Sequence, residues 1–463
     1  MRVPLLVIGG GLSGLAAAIR AARFDQQVLL LEKHTRLGGL NSYFYRNKTL
    51  FETGLHAITN YAGPKEKKAP LNRLLRQLKL PRKELSFCEQ YQSEVVFIDC
   101  TSLCFSNDFD LFQTEIGSKF PRTGGKFQRL LVFLDHFDPF RPTPFTSAKK
   151  FLLEMLGDPL LVDMILCPLM YYGSSHEDDM DLSQFAIMFR AIYQEGMFRP
   201  RGTIKDFLDL LASHFLEQGG EIRTGCGVEK IIHHRGTAVG VLLSSGEEIE
   251  CDYLLSTVGR DETLHLLGDT TAAISAGRQR LGFVETIYQV PEKTASHLPR
   301  DKTIIFYNDT ERFFYKNPDD FVDFSSGVIC FPGNFQGLEP KDLREIRSTH
   351  LANYARWKEL AEDAEHYKTQ KKIASHRSGQ CLENIIGGFT ANIVYENSFT
   401  PVTVERYTSK IGGAIYGRPT KTKDGDIGFT NLFLAGTDQG FLGIIGSMLS
   451  GVSIVNQHIL PNL

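Results

Sequence analysis

Gly9, Gly11 and Gly14 stand at the spacing with which a backbone turn cradles a diphosphate. The first glycine permits the tight turn, the second lets the main chain approach the phosphates, and the third lets the next helix pack closely on the preceding strand. Leu12 and Ser13 open that helix, whose free N–H groups and partial positive charge face the anion. Glu32 is the carboxylate placed to accept hydrogen bonds from an adenosine ribose, and an acid there disfavours a 2′-phosphate. Lys33 follows it. Arg36-Leu37-Gly38-Gly39-Leu40 then offers a phosphate-pairing guanidinium beside backbone that can lie close to a ligand. At this point the dinucleotide can be NAD or FAD.

These residues need a strand, a turn, a helix and a second strand. The apolar run Val3–Ile8 suits a central parallel strand, Ser13–Phe24 an Ala-rich helix, and Val28–Leu31 the next strand. A second strand–turn–helix closes the chain. Leu432–Ala435 reads as a strand, Gly436-Thr437-Asp438 as a turn, and Gly440–Ile459 as a helix whose small residues Gly443, Gly446, Ser447, Ser450 and Gly451 would let its end approach a flat ring. Between the two, Ile204–Gln218 reads as an amphipathic helix stopped at Gly219-Gly220. Strands are expected at Glu221–Thr224, Val228–His233, Ala238–Leu243, Glu248–Glu250 and Tyr253–Thr257.

The fold class expected is α/β. A Rossmann-like nucleotide-binding domain is assembled from residues 1–70, 200–265 and 413–463, with an inserted α+β substrate domain from 71–199 and 266–412. The first insert is helix-rich, with helical character over Leu71–Leu80 and Phe151–Tyr172 and dense Phe and Pro around Phe133–Phe145, including Pro142.

Composition sets outer bounds. The 463 residues carry a net charge of −3, which gives no electrostatic reason to expect nucleic acid. The eight cysteines form no CxxC pair, and Cys100 with Cys104 does not make a metal site, so no metal is expected and reduced thiols in a cytoplasmic compartment are. No apolar stretch reaches the roughly 20 residues of a bilayer span. Peripheral contact needs no span, and Phe127–Phe145, flanked by Lys126, Arg129, Arg141, Lys149 and Lys150, is a candidate for it.

From Glu32 through Arg36-Leu37-Gly38-Gly39, with Phe51-Glu52-Thr53-Gly54-Leu55-His56 after it, the chain resembles the FAD-dependent amine oxidase and phytoene desaturase superfamily. The resemblance implies FAD as cofactor, Gly54, Leu55 and His56 beside the flavin, and Gly443, Ile444 and Ile445 at the start of the closing helix against it. It also implies Asp438 on the ribityl chain or pyrophosphate, and Val228 of the Gly225-Cys226-Gly227-Val228 stretch on adenine through its backbone. Glu52 stands where the family more often has Asp. Pro200-Arg201-Gly202-Thr203, Thr400–Tyr407 and Gly413–Gly417 look most like the branch of phytoene desaturases, carotenoid isomerases and retinol saturases.

That branch implies hydride transfer at the flavin to or from a lipophilic polyene or isoprenoid, as desaturase, saturase or isomerase. No second GxGxxG lies in a strand–helix setting, so the electron acceptor is oxygen, a quinone or none. His56 is the candidate catalytic group; Tyr171, Tyr172 and Glu177 are further side chains for the substrate side. An amine oxidase of polar substrates and a GDP-dissociation-inhibitor-like binder of prenylated proteins, without redox activity, are the competing readings.

Overall fold

The computed structural model describes residues 1–98, 101–141, 143–269 and 280–462; Cys100, Pro142 and part of the 266–412 stretch lie outside them. The opening strand Arg2–Ile8 is apolar on both faces and is buried on both, in the centre of a seven-stranded sheet. Its parallel neighbours are Val28–Glu32 on one side and Glu248–Ser256 on the other. Glu221–Thr224 extends the sheet beyond Val28–Glu32. Glu248–Ser256 is one strand where the sequence suggests two. The partner on its far side changes midway, from antiparallel Thr237–Leu243 at Glu248–Glu250 to parallel Leu432–Leu434 at Leu254–Ser256. By this switch the last strand of the chain enters the same sheet as the first.

Helix Leu12–Ala22 and the closing helix Gly443–Ile454 pack together on one face of this sheet. Gly451 faces the Ser13 carbonyl so closely that a methyl group there would overlap it. The closing helix starts at Gly443, three residues later than expected, because Gly440 takes φ +110° and ends a short turn over Thr437–Gln439. With its continuation to Asn462 this is the one helix among the described residues long and apolar enough to cross a membrane, which the sequence reading did not anticipate, and 56% of its apolar window is buried inside the protein.

A second seven-stranded sheet runs Tyr395–Phe399, Gly282–Pro291, Leu343–Ala352, Ser326–Cys330, Lys302–Asn308, Gln92–Phe97, Thr101–Phe105. One face carries Tyr288, Ile305, Tyr307 and Ile346 toward the long helix Ala364–Ile386. The other carries Val95, Phe283, Phe306 and Cys330 toward helices from 109–193. The Phe127–Phe145 stretch is divided: Phe127, Leu130 and Leu134 are buried in that core with Leu131, Phe133 and Phe137 packed against it, and Val132, Phe140 and Phe145 are exposed. Lys126 donates to the Leu156 carbonyl and Lys149 lies 3.8 Å from buried Asp163, so neither is a free surface charge.

The single helix expected over Phe151–Tyr172 is two, Ala148–Leu156 and Pro159–Gly173. Gly157 at φ +70° stops the first; Asp158 caps the second, accepting from the Leu161 N–H, with Pro159 at its first position.

Candidate functional site

Gly9 leaves the opening strand at φ +103°, and the Cβ of any other residue there would also crowd Thr257 and Val258. A methyl group on Gly14 would overlap the Gly9 carbonyl, whereas around Gly11 there is open space to 4 Å and at Gly39 only the Gly11 Cα comes within it. The Gly38 N–H donates to the Gly10 carbonyl at 2.9 Å, which seats the Arg36–Leu40 turn against the first one. The result is a cradle in which tight packing lies behind Gly14 and clearance lies in front of Gly11 and Gly39.

Glu32 holds this cradle from its side. One carboxylate oxygen accepts from the Gly10 N–H and the other from the His34 N–H, both at 2.7 Å. A carboxylate has about four acceptor positions, so two remain for a ribose. The Gly225 and Cys226 N–H groups donate to the His34 and Glu32 carbonyls, bringing Gly227 and Val228 to this end of the cleft. Lys33 reaches outward to Ser409 at 2.9 Å, and the Arg36 guanidinium lies over the Tyr43 ring and donates to the Tyr43 carbonyl.

The C-terminal turn meets the same cradle. The Ala435 N–H donates to the Ser256 carbonyl and the Thr257 N–H to the Ile8 carbonyl, so both turns leave the sheet side by side. A side chain at Gly436 would come within 3.9 Å of Ser13. The hydroxyls of Ser13 and Thr437 are buried without a partner. Two orphaned hydroxyls flanking open glycine backbone fit a bound dinucleotide, which would supply their hydrogen bonds.

Asp438 is 2% exposed, and its oxygens accept from the Arg260 and Arg418 N–H groups at 2.7 Å each. It therefore ties two loops to the turn instead of projecting from it. Burial disfavours its charge, but Lys410, Lys421 and the two N–H donors outweigh that and hold its pKa at about 2. A carboxyl depressed in the fold stabilises above its unfolded pKa near 4, and the stabilisation is lost as pH falls through about 2. The contribution at neutral pH is about 2 kcal/mol. Asp438→Asn should lower stability to urea at pH 7 by that order, with the gap to wild type narrowing at pH 3; a gap independent of pH would contradict this role.

The segment after Glu52 runs under the closing helix. The Thr53 hydroxyl donates to the Leu40 carbonyl at 2.8 Å, Gly54 is packed against that carbonyl, and Leu55 is fully buried. Ile444 and Ile445 are buried, and a methyl group on Gly443 would lie 3.2 Å from the Thr59 hydroxyl. His56 reaches the second sheet, its Nε2 3.0 Å from Glu285 but not aligned for a hydrogen bond. Glu285 also meets the buried Arg347 at 3.3 Å, and Arg347 donates to Glu345 at 2.6 Å. Among the other substrate-side candidates, Tyr171 is hydrogen-bonded to Ser326, Glu177 is solvent-exposed and accepts from the Asn317 N–H, and Tyr172 has a buried hydroxyl without a partner. Glu177 thus does not face the interior. Glu285 and Arg347 escaped the sequence reading, since nothing near either residue marks it.

Seven described cysteines are free, and no group of metal-ligating side chains occurs among the described residues. Outside the closing helix lies a groove of about 1100 Å³, lined by Lys65, Lys67, Lys68, Phe140, Phe441 and Glu195 among others. Burial raises the Glu195 pKa to about 7, against the hydrogen bond it accepts from Asn60.

This fold and this cleft define an FAD-dependent oxidoreductase. The model of the flavin containing amine oxidoreductase family matches residues 12–271, and the chain belongs to that family. It is 21% identical to prolycopene isomerase of Daucus carota, over 91% of this chain and 73% of that protein. It is 23% identical to human all-trans-retinol 13,14-reductase, over 99% and 86%, and 21% identical to the 4,4′-diaponeurosporene oxygenase of Staphylococcus haemolyticus, over 89% and 86%. Among solved structures, an oxidoreductase from Methanosarcina mazei superposes with a TM-score of 0.69 at 17% identity, covering 98% of this chain and all of that one. A putrescine oxidase variant gives 0.64 at 14%, with both chains fully covered. These structures share the fold.

Proposed function

We propose that the protein transforms a lipophilic polyene or isoprenoid by desaturation, saturation or isomerisation. The observation that carries this reading is an aromatic cluster: Tyr171, Phe283, Phe313, Tyr315 and Tyr416 are in ring contact, and Glu285, two residues along the strand from Phe283, is already engaged by Arg347 and His56. A site bordered by such a cluster would bind by apolar area, and its engaged carboxylate would offer little to an ammonium group, which disfavours an amine substrate. The relatives named for polyene and retinoid reactions support the same class.

FAD, when bound, supplies two-electron redox chemistry. In this reading Gly9, Gly11, Leu12, Ser13 and Gly14, with Arg36, Gly38, Gly39 and Leu40, hold the diphosphate, while Glu32, Lys33 and Val228 line the adenosine end. Gly54, Leu55, His56, Gly436, Gly443, Ile444 and Ile445 surround the ring, and Asp438 fixes the turn that carries Gly436. Residues 1–70, 200–265 and 413–463 form the cofactor domain, with the substrate domain drawn from 71–199 and 266–412. The test is anaerobic photoreduction of the purified holoprotein followed by a panel of polyenes including prolycopene and all-trans-retinol. Reoxidation of the flavin or product isomers is expected. A yellow protein inert to every polyene and active on an amine would overturn the reading, and a colourless one that FAD cannot reconstitute would favour the prenyl-binding alternative.

The groove outside the closing helix is the proposed point of peripheral membrane contact. Phe140 is 59% exposed and stacks on Phe441 at 5.7 Å, and Lys65, Lys67 and Lys68 stand on the rim. The protein is expected to co-sediment with vesicles containing anionic lipid, and Phe140→Ser with Lys67→Ala and Lys68→Ala to weaken that at least tenfold. Absence of wild-type binding to anionic and neutral vesicles alike removes the membrane route.

A further inference from the structure

Three carboxylates and two guanidinium groups meet where the His56 segment crosses the second sheet. Arg199 pairs with Glu52, and Arg347 with Glu285 and Glu345. Three carboxylates thus face two guanidinium groups here, and His56 Nε2 lies 3.0 Å from Glu285. Glu285 lies mid-strand in Gly282–Pro291, opposite Thr349 and Phe399. Tyr172 comes down from helix Pro159–Gly173 over the same face, its hydroxyl within electrostatic reach of Glu285, Cys330 and Tyr416.

The polar atoms around this point share a feature. His56 Nε2, the Tyr172 hydroxyl, Arg347 Nη2 and Thr349 Oγ1 are all buried without a hydrogen-bond partner. An orphaned buried polar group is costly, and four gathered over one sheet face mark a place where something else is to be met. The place is continuous with the cofactor cleft by two routes. Thr59, three residues beyond His56, touches the start of the closing helix at Gly443. Gly417, next to Tyr416, is packed against Asp438 and Thr437.

We infer that His56 and Glu285 form a proton-holding dyad for the redox reaction, with Arg347 as the positioning residue behind it and the Tyr172 hydroxyl facing it across the substrate space. The inference rests on the reading that His56 lies beside the flavin, and it narrows the substrate to one that exchanges a carbon-bound proton together with two electrons. Saturating a C=C bond needs a hydride at one carbon and a proton at the other: His56 would give the proton and be reprotonated from solvent, and FAD, when bound and reduced by an external two-electron donor, would supply the hydride. In desaturation His56 would accept the C–H proton, while the hydride's electrons would leave through FAD to oxygen or a quinone. Arg347 donates to Glu285 and Glu345 and thereby keeps the Glu285 carboxylate turned to the imidazole.

Two measurements test this. In apoprotein carrying ¹⁵N-labelled histidine, Glu285→Gln should move the ring resonances of His56 while leaving those of exposed His366 in place, and FAD should move the same His56 resonances in wild type. His56 resonances indifferent to Glu285→Gln overturn the dyad, and resonances that respond to Glu285 but not to FAD overturn its place at the cofactor. In holoenzyme with whichever polyene of the panel is turned over, Tyr172→Phe and Glu285→Gln should each lower kcat about 100-fold with KM within a few-fold, at unchanged melting temperature for Tyr172→Phe. Full activity of both variants overturns the inference. If no polyene reacts, the proposed function fails, and the dyad stands or falls on the histidine spectra alone.

Discussion

Gly14→Ala and Gly451→Ala should each destabilise the protein by about 3 kcal/mol or more, while Gly11→Ala leaves its stability nearly unchanged and abolishes tight FAD binding. Helix propensity alone predicts the opposite for the first two, since replacing glycine by alanine inside a helix gains about 1 kcal/mol. Sterics decide the sign. The methyl group introduced by Gly14→Ala would occupy the position of the Gly9 carbonyl, and the one introduced by Gly451→Ala the position of the Ser13 carbonyl. Both obstacles are backbone, in a strand–turn–helix anchored by the Gly9 N–H on the Leu31 carbonyl, so neither can rotate away. Gly11 is different. Its φ of −72° suits alanine, and nothing in the protein lies within 4 Å of the added methyl. What such a methyl obstructs is a ligand. Thermal melts of the three apoproteins and FAD titrations followed by flavin fluorescence check the contrast. A tenfold loss of FAD affinity in Gly11→Ala corresponds to about 1.4 kcal/mol. Wild-type FAD affinity in Gly11→Ala would place the diphosphate elsewhere, and wild-type stability in Gly451→Ala would mean the two ends of the chain are not packed as closely as the geometry states.

That contrast also shows which parts of the site a sequence can disclose. Gly9 to Glu32 is a local device: the strand, turn, helix and carboxylate are consecutive, and each residue type answers a need set by its neighbours in the chain. The closing strand–turn–helix is legible for the same reason, down to the small residues of Gly443–Gly451. The join between the two ends was inferable from the chemistry of one cofactor, although the contact that makes it, Gly451 on Ser13, carries no local mark. Glu285 and Arg347 are another matter. They come from two strands whose pairing register is set by the whole sheet, and alternation along Gly282–Pro291 does not say which face meets His56. The single helix expected over Phe151–Tyr172 passes over Gly157-Asp158-Pro159, where a left-handed stop, a cap and a helix start fall in three consecutive residues. Asp438 shows a subtler limit. Its position in the turn was readable, but its hydrogen bonds to Arg260 and Arg418 depend on two distant loops arriving beside it.

Arg199→Met should cost about 3–5 kcal/mol, several times the effect of removing the surface pair Arg2–Asp252, although both pairs are close Arg–carboxylate contacts. Arg2 and Asp252 have side chains 68% and 41% exposed, so water and salt replace what either loses. Arg199 and Glu52 are each 8% exposed. Arg199 donates to both Glu52 oxygens, at 3.2 and 3.0 Å, and to the Pro332 carbonyl at 2.9 Å. Glu52 accepts in addition from the Ile204 N–H at 2.6 Å. Without the guanidinium, that single N–H is the one hydrogen bond left to a buried carboxylate, with Arg347 the remaining cation acting on it. Shortening the acid to Asp withdraws the carboxylate by one methylene from both Arg199 and Ile204, so the longer side chain is matched to the gap here. Because the penalty comes from the stranded charge and not from the loss of a favourable pair, the double variant Arg199→Met with Glu52→Gln should recover most of the stability, and urea denaturation of the two single variants and the double one measures the coupling. The consequence reaches the chemistry. Glu52 ends the strand that delivers His56 four residues later, and Arg199 ties that strand end to Pro332 just beyond the strand carrying Cys330. On the proposed role of His56, a protein kept folded by the double substitution but lacking this tie should bind FAD normally and turn over slowly, because the segment that carries the imidazole has lost its anchor at Pro332. Turnover equal to wild type in that variant would show that the ion pair serves folding alone.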